Sequence, residues 1–215
     1  AVSKELVRTI ADLGGTNIQH LYYGLDTRFF APPPEDGKQP EGFIVYSPRW
    51  CRPEYNLETI VRAFALFAES CPDARLAYRD TDWADTDVAQ ACRKKIQALI
   101  AAEGLETRCT PLGFSDQAGH KAQMARAQVV ISMAPSDGTP VSVLEAMAMG
   151  KIVLCGNIPS LNDLIEDTYT GFLAPLDDPY RIAGTLSYIY KNFGEVQRRV
   201  GTNARHFAEN QFWDF

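Results

Sequence analysis

From residue 43 onward the chain alternates between two hydrophobic periods. Short apolar runs, most of them carrying β-branched residues, occur at 43–48 (FIVYSP), 74–79 (ARLAYR), 107–114 (TRCTPLGF), 128–135 (QVVISMAP), 151–155 (KIVLC) and 171–175 (GFLAP). Between them lie stretches with apolar groups at helical spacing, at 55–70, 87–104, 115–127, 141–150 and 160–167, followed by two further helices through residue 209. Continuous apolar strands separated by amphipathic helices are the pattern of βαβ crossovers, which demand a parallel sheet covered on both faces. The expected fold is therefore α/β: a doubly wound, Rossmann-like parallel sheet with helices on both faces.

The first 42 residues read differently. Residues 1–14 have helical spacing and stop at Gly14-Gly15, as a glycine-capped helix would. Residues 17–24 (NIQHLYYG) read as a strand, and 25–42, with Pro32-Pro33-Pro34 and Pro40, as turn and linker. The expected organisation is 1–42 as helix, strand and proline-rich linker, and 43–215 as the Rossmann-like domain with its C-terminal helices. Opening on Ala1 in mid-helix pattern, the chain reads as a piece of something longer.

Composition narrows the function by exclusion. With 215 residues, 46% hydrophobic and 22% charged, the chain is an ordinary globular protein able to bury a core. A formal charge of −6 gives no basic footprint for nucleic acid or an anionic membrane. The five cysteines are odd in number and contain no C-x-x-C pair, so they read as reduced thiols in a cytoplasmic protein and not as a metal site. No apolar run approaches the roughly 18 residues of a membrane span, and no basic-then-apolar leader is present.

In doubly wound folds ligands sit at the carboxyl ends of the strands. Here that edge carries the stretch 136–151, SDGTPVSVLEAMAMGK. Thr139-Pro140 reads as a helix N-cap with proline at the first helical position, so free amides and the positive end of the helix dipole would offer an anion site. Gly138 admits a ligand close to the backbone. Asp137 lies in the loop and Glu145 roughly two turns into the helix, so the two acids could bracket one ligand, each accepting from vicinal sugar hydroxyls. A purely local reading stands beside this one: Ser142-x-x-Glu145 fits a capping box, and Asp137 fits a turn.

Residues 136–175 resemble the donor-binding segment of glycosyltransferase family 4, whose signature is two acids separated by seven residues and followed by Leu-Glu-Ala-Met-Ala-x-Gly. LYYGLDTRFF (21–30) resembles the interdomain segment of that family. Residues 46–67, with YSPRW and LETIVRAFALF, resemble its strand-loop-helix, and 111–132 its loop-helix-strand. The resemblance implies the C-terminal, donor-binding half of a retaining GT-B enzyme that moves a hexose from a nucleotide diphosphate sugar, such as UDP- or GDP-hexose, to a glycan or lipid-linked acceptor. It implies that Glu145 holds the ribose, that Asp137 (where glutamate is usual) meets the hexose, and that Gly138, Thr139, Pro140 and Val141 offer backbone groups to sugar and phosphate. Arg49 would neutralise the leaving diphosphate without a metal, and Gly113, Phe114 and Ser115 would line the base. The N-terminal acceptor-binding domain would be missing from this chain, leaving it weak or inactive in transfer alone, and the resemblance allows peripheral membrane association of the full-length protein.

Two departures accompany the resemblance. Glu54 replaces a lysine usual five residues after the arginine, with Arg52 the nearest base, so either Arg52 substitutes or the fold survives as a non-catalytic nucleotide-sugar binding module. The usual Gly-x-Gly after the strand at 74–79 is RDTDWADTD. Its Asp-x-Asp pairs could attract a hard divalent ion, yet such triplets arise easily in acidic loops and Asp87 fits a helix start. His20, His120 and His206 share no metal spacing and read as surface or packing residues, with His120 alternatively bordering the base. Met147 and Met149 read as core. Trp50 fits a lid on the core or a ligand platform equally.

Overall fold

A computed structural model describes residues 1–33 and 42–211; the expected prolines at 34 and 40 and the terminal residues 212–215 lie outside the described part. Six strands form one parallel sheet: β1 Phe43–Ser47, β2 Ala74–Arg79, β3 Cys109–Leu112, β4 Val129–Ser132, β5 Ile152–Gly156 and β6 Phe172–Ala174. Their order across the sheet is β3-β2-β1-β4-β5-β6. The chain thus builds outward from β1 to β3, then returns to lay β4 against the other side of β1, pairing Val45 with Val129 and Tyr46 with Val130. Loops leaving β1 and β4 diverge there and open a crevice at the carboxyl edge.

The helices are α1 Lys4–Asp12, α2 Leu57–Ala68, α3 Asp87–Ala102, α4 Gln117–Arg126, α5 Val141–Ala148, α6 Pro179–Lys191, α7 Phe193–Val196 and α8 Thr202–Gln211, the last two joined through a π-helical turn at Gln197–Gly201. Successive strand residues point to opposite faces, so Val45, Leu76, Ile131 and Leu154 pack under α2, α3 and α6 with Phe64, Phe67, Ile96 and Leu186. Tyr46, Val130 and Val153 pack on the other face under α4, α5 and α8 with Met124, Leu144, Met147 and Ala204. Met147 and Met149 are core residues, as the pattern implied. Small residues on α5 and α8 let the two helices approach closely.

Local signals explain the boundaries. Ser3 Oγ accepts from Leu6 N to start α1, and Gly14, at φ 87°, closes it, with Gly15 N bonding Ile10 O at 2.8 Å. Gly150, at φ 65°, ends α5 in the same way, through Gly150 N to Met147 O and Lys151 N to Ala146 O. Thr86 caps α3 by accepting from Ala89 N, so Asp87 does open that helix.

Two expected elements do not form. Residues 17–24 join no sheet: Leu21 N bonds Ala1 O and the Ala1 amine bonds Gln19 O, contacts that make no ladder. Residues 160–167 are not a helix. Ile158 O accepts from Leu161 and Asn162, and Leu161 O from Leu164 and Ile165, which makes two successive turns that bury Leu161, Leu164 and Ile165.

Candidate functional site

The crevice at the switch point is a cleft of about 390 Å³, walled by Arg49 and Trp50 after β1, Arg79 at the end of β2, Phe114 after β3, His120 on α4 and Glu145 on α5. Arg49, Trp50, Arg79 and Phe114 stand at or just after strand ends, and His120 and Glu145 within the helices that follow. The floor is a chain of hydrogen bonds. Glu145 Oε2 is 3.0 Å from His120 Nε2, and His120 Nδ1 is 3.1 Å from both Tyr46 Oη and Arg79 Nη2. Arg79 Nη2 also donates to Ser115 Oγ at 3.2 Å. A guanidinium can only donate, so His120 Nδ1 must accept, and its proton sits on Nε2, aimed at Glu145. Burial pushes the Tyr46 phenol above its ordinary 10.0, and the neighbouring Arg79 charge opposes that rise.

Arg49 occupies the phosphate end. Its Nη2 is 2.8 Å from Asp137 Oδ2 and its Cζ lies 4.3 Å over the Tyr55 ring. The contact is an ion pair off the line of an N–H, so Arg49 Nε and Asp137 Oδ2 are both buried without a hydrogen-bonding partner among the described residues. Arg79 Nε and Ser142 Oγ share that condition. Three of these atoms, on Arg49, Arg79 and Ser142, belong to residues that line the cleft.

The expectations divide accordingly. The structure brings Arg49, Phe114, Ser115 and Glu145 into one cleft, with Asp137 at its edge through Arg49 and Gly113 just outside the wall. Thr139 is not the cap of α5. Pro140 holds that position, helical residues begin at Val141, and the Thr139 hydroxyl instead donates to Val2 O. The reason is that residues 1–3 pass over this loop, with Val2 Cγ2 within 3.2 Å of where a Cβ on Gly138 would stand. Pro140 is buried and Val141 is exposed at the helix start. Val143 N is the first amide to bond back, to Pro140 O, so the amides before it remain at the cleft end of α5. The capping-box reading fails as well, because Ser142 caps nothing and Glu145 bonds His120.

Arg52 does not join the cleft. It pairs with Glu54 at 2.6 Å and approaches Asp82 at 3.5 Å, lining a separate groove against α2 and α3. Asp82 organises the β2-α3 turn: it accepts from Ala84 N, Thr86 N and the Thr86 hydroxyl, which holds its carboxyl below 3.8. Asp80 and Asp85 pair with Arg93. The acidic triplets therefore act as loop fasteners. Sequence reasoning missed Arg79 and placed His120 beside the base only as the lesser alternative to surface or packing; both are buried, at 6% and 9% exposure, inside the site. A cation at the carboxyl end of a buried strand was the available signal.

Residues 31–207 match the family described as Glycosyl transferases group 1. The chain is 25% identical over 114 residues to the alpha-D-kanosaminyltransferase of Streptomyces kanamyceticus, covering 52% of this chain and 29% of the relative. It is 24% identical over 172 residues to the putative glycosyltransferase EpsD of Bacillus subtilis (strain 168), covering 80% and 42%. The chain thus spans less than half the length of these relatives. In structure it is similar to Anabaena Alr3699/HepE solved in complex with UDP, at a TM-score of 0.85 and 21% identity, over 99% of this chain and 59% of that one. The same Anabaena protein has been solved with UDP-glucose.

Proposed function

The chain belongs to the group 1 glycosyl transferases, and from that premise we propose that it is the donor-binding half of a retaining, family 4 enzyme that transfers a hexose from a nucleotide diphosphate sugar to a glycan or lipid-linked acceptor. The observation that supports this reading is the convergence of Arg49, Arg79, Ser142 and the Glu145 carboxylate on one crevice at the carboxyl edge of the sheet, with Asp137 held at its edge by Arg49. His120 engages Glu145 Oε2 and leaves Oε1 for the ribose hydroxyls. Arg49 and the first amides of α5 meet the diphosphate, Asp137 meets the hexose, and Phe114 and Ser115 lie beside the base.

In transfer, the bond between the hexose anomeric carbon and the diphosphate oxygen breaks, and the charge growing on the diphosphate is met by donors already in place. Removing one such preorganised donor typically lowers turnover by about 10²–10³. The acceptor hydroxyl attacks the face the leaving group vacates and passes its proton to the departing diphosphate oxygen; it is presented by an N-terminal domain outside this chain, in keeping with the partial coverage of the relatives. The 215-residue chain alone accordingly binds donor and transfers little. Titration of UDP, GDP and ADP into the chain and its Glu145→Gln variant tests the assignment; no binding by any nucleotide would refute it.

One observation favours a second reading, the non-catalytic binding module. Glu54 stands where the resemblance places a lysine, and Arg52, the nearest replacement, is turned to Glu54 and Asp82. A transfer assay on the full-length protein separates the two: turnover supports the enzyme, and binding without turnover supports the module.

A further inference from the structure

The Arg79 guanidinium has more donors than partners. Its Nη2 is fixed by Ser115 Oγ and His120 Nδ1, while Nε is buried with no partner and Nη1 makes no hydrogen bond among the described residues. Its Cζ lies 4.7 Å from the centroid of Trp50. The Trp50 and Phe114 rings are parallel to within 4° with centroids 6.3 Å apart, and Phe114 is 66% exposed. A cation that offers only donors, locked beside a flat aromatic pair on the cleft wall, fits a planar heterocycle that turns acceptors toward it. A heterocycle that turns an amino group there would set N–H against N–H and leave both unpaired in a buried place.

We propose that Arg79 sets the nucleobase preference of the cleft, favouring a base with a carbonyl at the position it meets, as in uracil and guanine, over one with an exocyclic amino group there, as in cytosine and adenine. This inference rests on the nucleotide-sugar reading of the site. His120 is the positioning residue: by accepting from Arg79 and donating to Glu145 it fixes the base-reading guanidinium and the ribose-holding carboxylate in one relation. Trp50 and Phe114 supply stacking, which is tolerant of base identity.

The test is calorimetric titration of UDP, CDP, GDP and ADP into the 215-residue chain. UDP against CDP exchanges the C4 carbonyl for an amino group and, with it, the N3 donor for an acceptor. The expected result is at least tenfold tighter binding of UDP than CDP and of GDP than ADP. Arg79→Gln, whose amide both donates and accepts, brings each ratio to within threefold. Phe114→Ala weakens all four nucleotides by a similar factor and leaves the ratios unchanged. Should Arg79→Gln fail to fold, Ser115→Ala, which removes one acceptor holding Nη2 and leaves the buried guanidinium in place, is expected to lower the ratios at least threefold. Equal binding of all four by the unmodified chain, or ratios unmoved in a folded Arg79 or Ser115 variant, overturns the role of Arg79 and leaves the nucleotide site standing. Binding of none overturns both.

Discussion

Arg49 and Asp137 meet across the switch point, Nη2 to Oδ2 at 2.8 Å, although 88 positions separate them in the chain. They meet because β1 and β4 are neighbours in the sheet, so the loops that follow them are neighbours too. The acid holds the guanidinium at the crevice and at the same time offsets its charge. Asp137→Asn is therefore expected to raise affinity for the bare nucleoside diphosphate by up to about threefold, while lowering affinity for the nucleotide sugar whose hexose the acid meets. Parallel titrations with UDP and UDP-glucose check this; equal changes for both ligands would remove Asp137 from sugar recognition.

Arg49→Ala is expected to weaken nucleoside diphosphate binding by tenfold or more, with Arg49→Lys recovering little, because an ammonium cannot lie flat over Tyr55 while pairing with Asp137. On the enzyme reading proposed above, the same substitution in the full-length protein is expected to lower turnover by about 10²–10³. Nucleotide titration and a transfer assay measure the two effects, and unchanged values would remove Arg49 from the site.

His120→Ala deprives Glu145, Tyr46 and Arg79 of a shared partner in a buried place. The expected loss of stability is about 2–4 kcal/mol, since each buried polar group left unsatisfied costs about 1–3 kcal/mol and the cleft readmits some water. Urea unfolding reads it as a lowered midpoint at constant slope. His120→Gln, able to donate and accept, restores part of the loss.

Alkaline pH should unfold the protein from a definite point. Burial raises Cys109 and Cys155 from 9.0 to about 12, so these thiols stay protonated in the fold while they ionise in the unfolded chain. Their contribution is complete below pH 9 and is lost as pH rises toward 12, at about 1.4 kcal/mol per pH unit per thiol. Lys151, whose amine donates to Ala125 O and Ala127 O, runs the other way: burial lowers it from 10.5 to about 8, so its contribution grows between those values. Two thiols outweigh one amine, and stability measured by urea unfolding is expected to fall above pH 9. Cys109→Ala should make that decline shallower.

Gly150→Ala tests the end of α5. The position has room, with Gly201 O at 3.5 Å from an added Cβ, but φ is 65°. The expected cost is conformational, about 1–2 kcal/mol, with nucleotide affinity unchanged.

Where one force set an element, the sequence disclosed it. Residues 74–79 emerge as β2 with the boundaries read from the pattern, because the alternate apolar residues Ala74, Leu76 and Tyr78 between turns fit one buried face of a strand. Residues 160–167 misled because burying Leu161, Leu164 and Ile165 requires only i, i+3, i+4 spacing, which two turns supply as well as a helix. Thr139-Pro140 misled for a different reason: the hydroxyl that would cap α5 is claimed by Val2, 137 positions away, and no local rule anticipates that. In the cleft, Glu145 and Arg49 were legible from spacing and resemblance. Arg79 and His120 were not, since each gains its meaning from the other and from Tyr46, residues brought together by three different elements.

The strap formed by residues 1–3 has a mechanical corollary. Ser3 starts α1, a helix with no buried residue, and one position earlier Val2 grips the Gly138-Thr139 loop by a hydrogen bond and a methyl contact. A shift of α1 would therefore be carried through Val2 to the Gly138-Thr139 backbone at the amino end of α5, so the two helices share one mechanical joint.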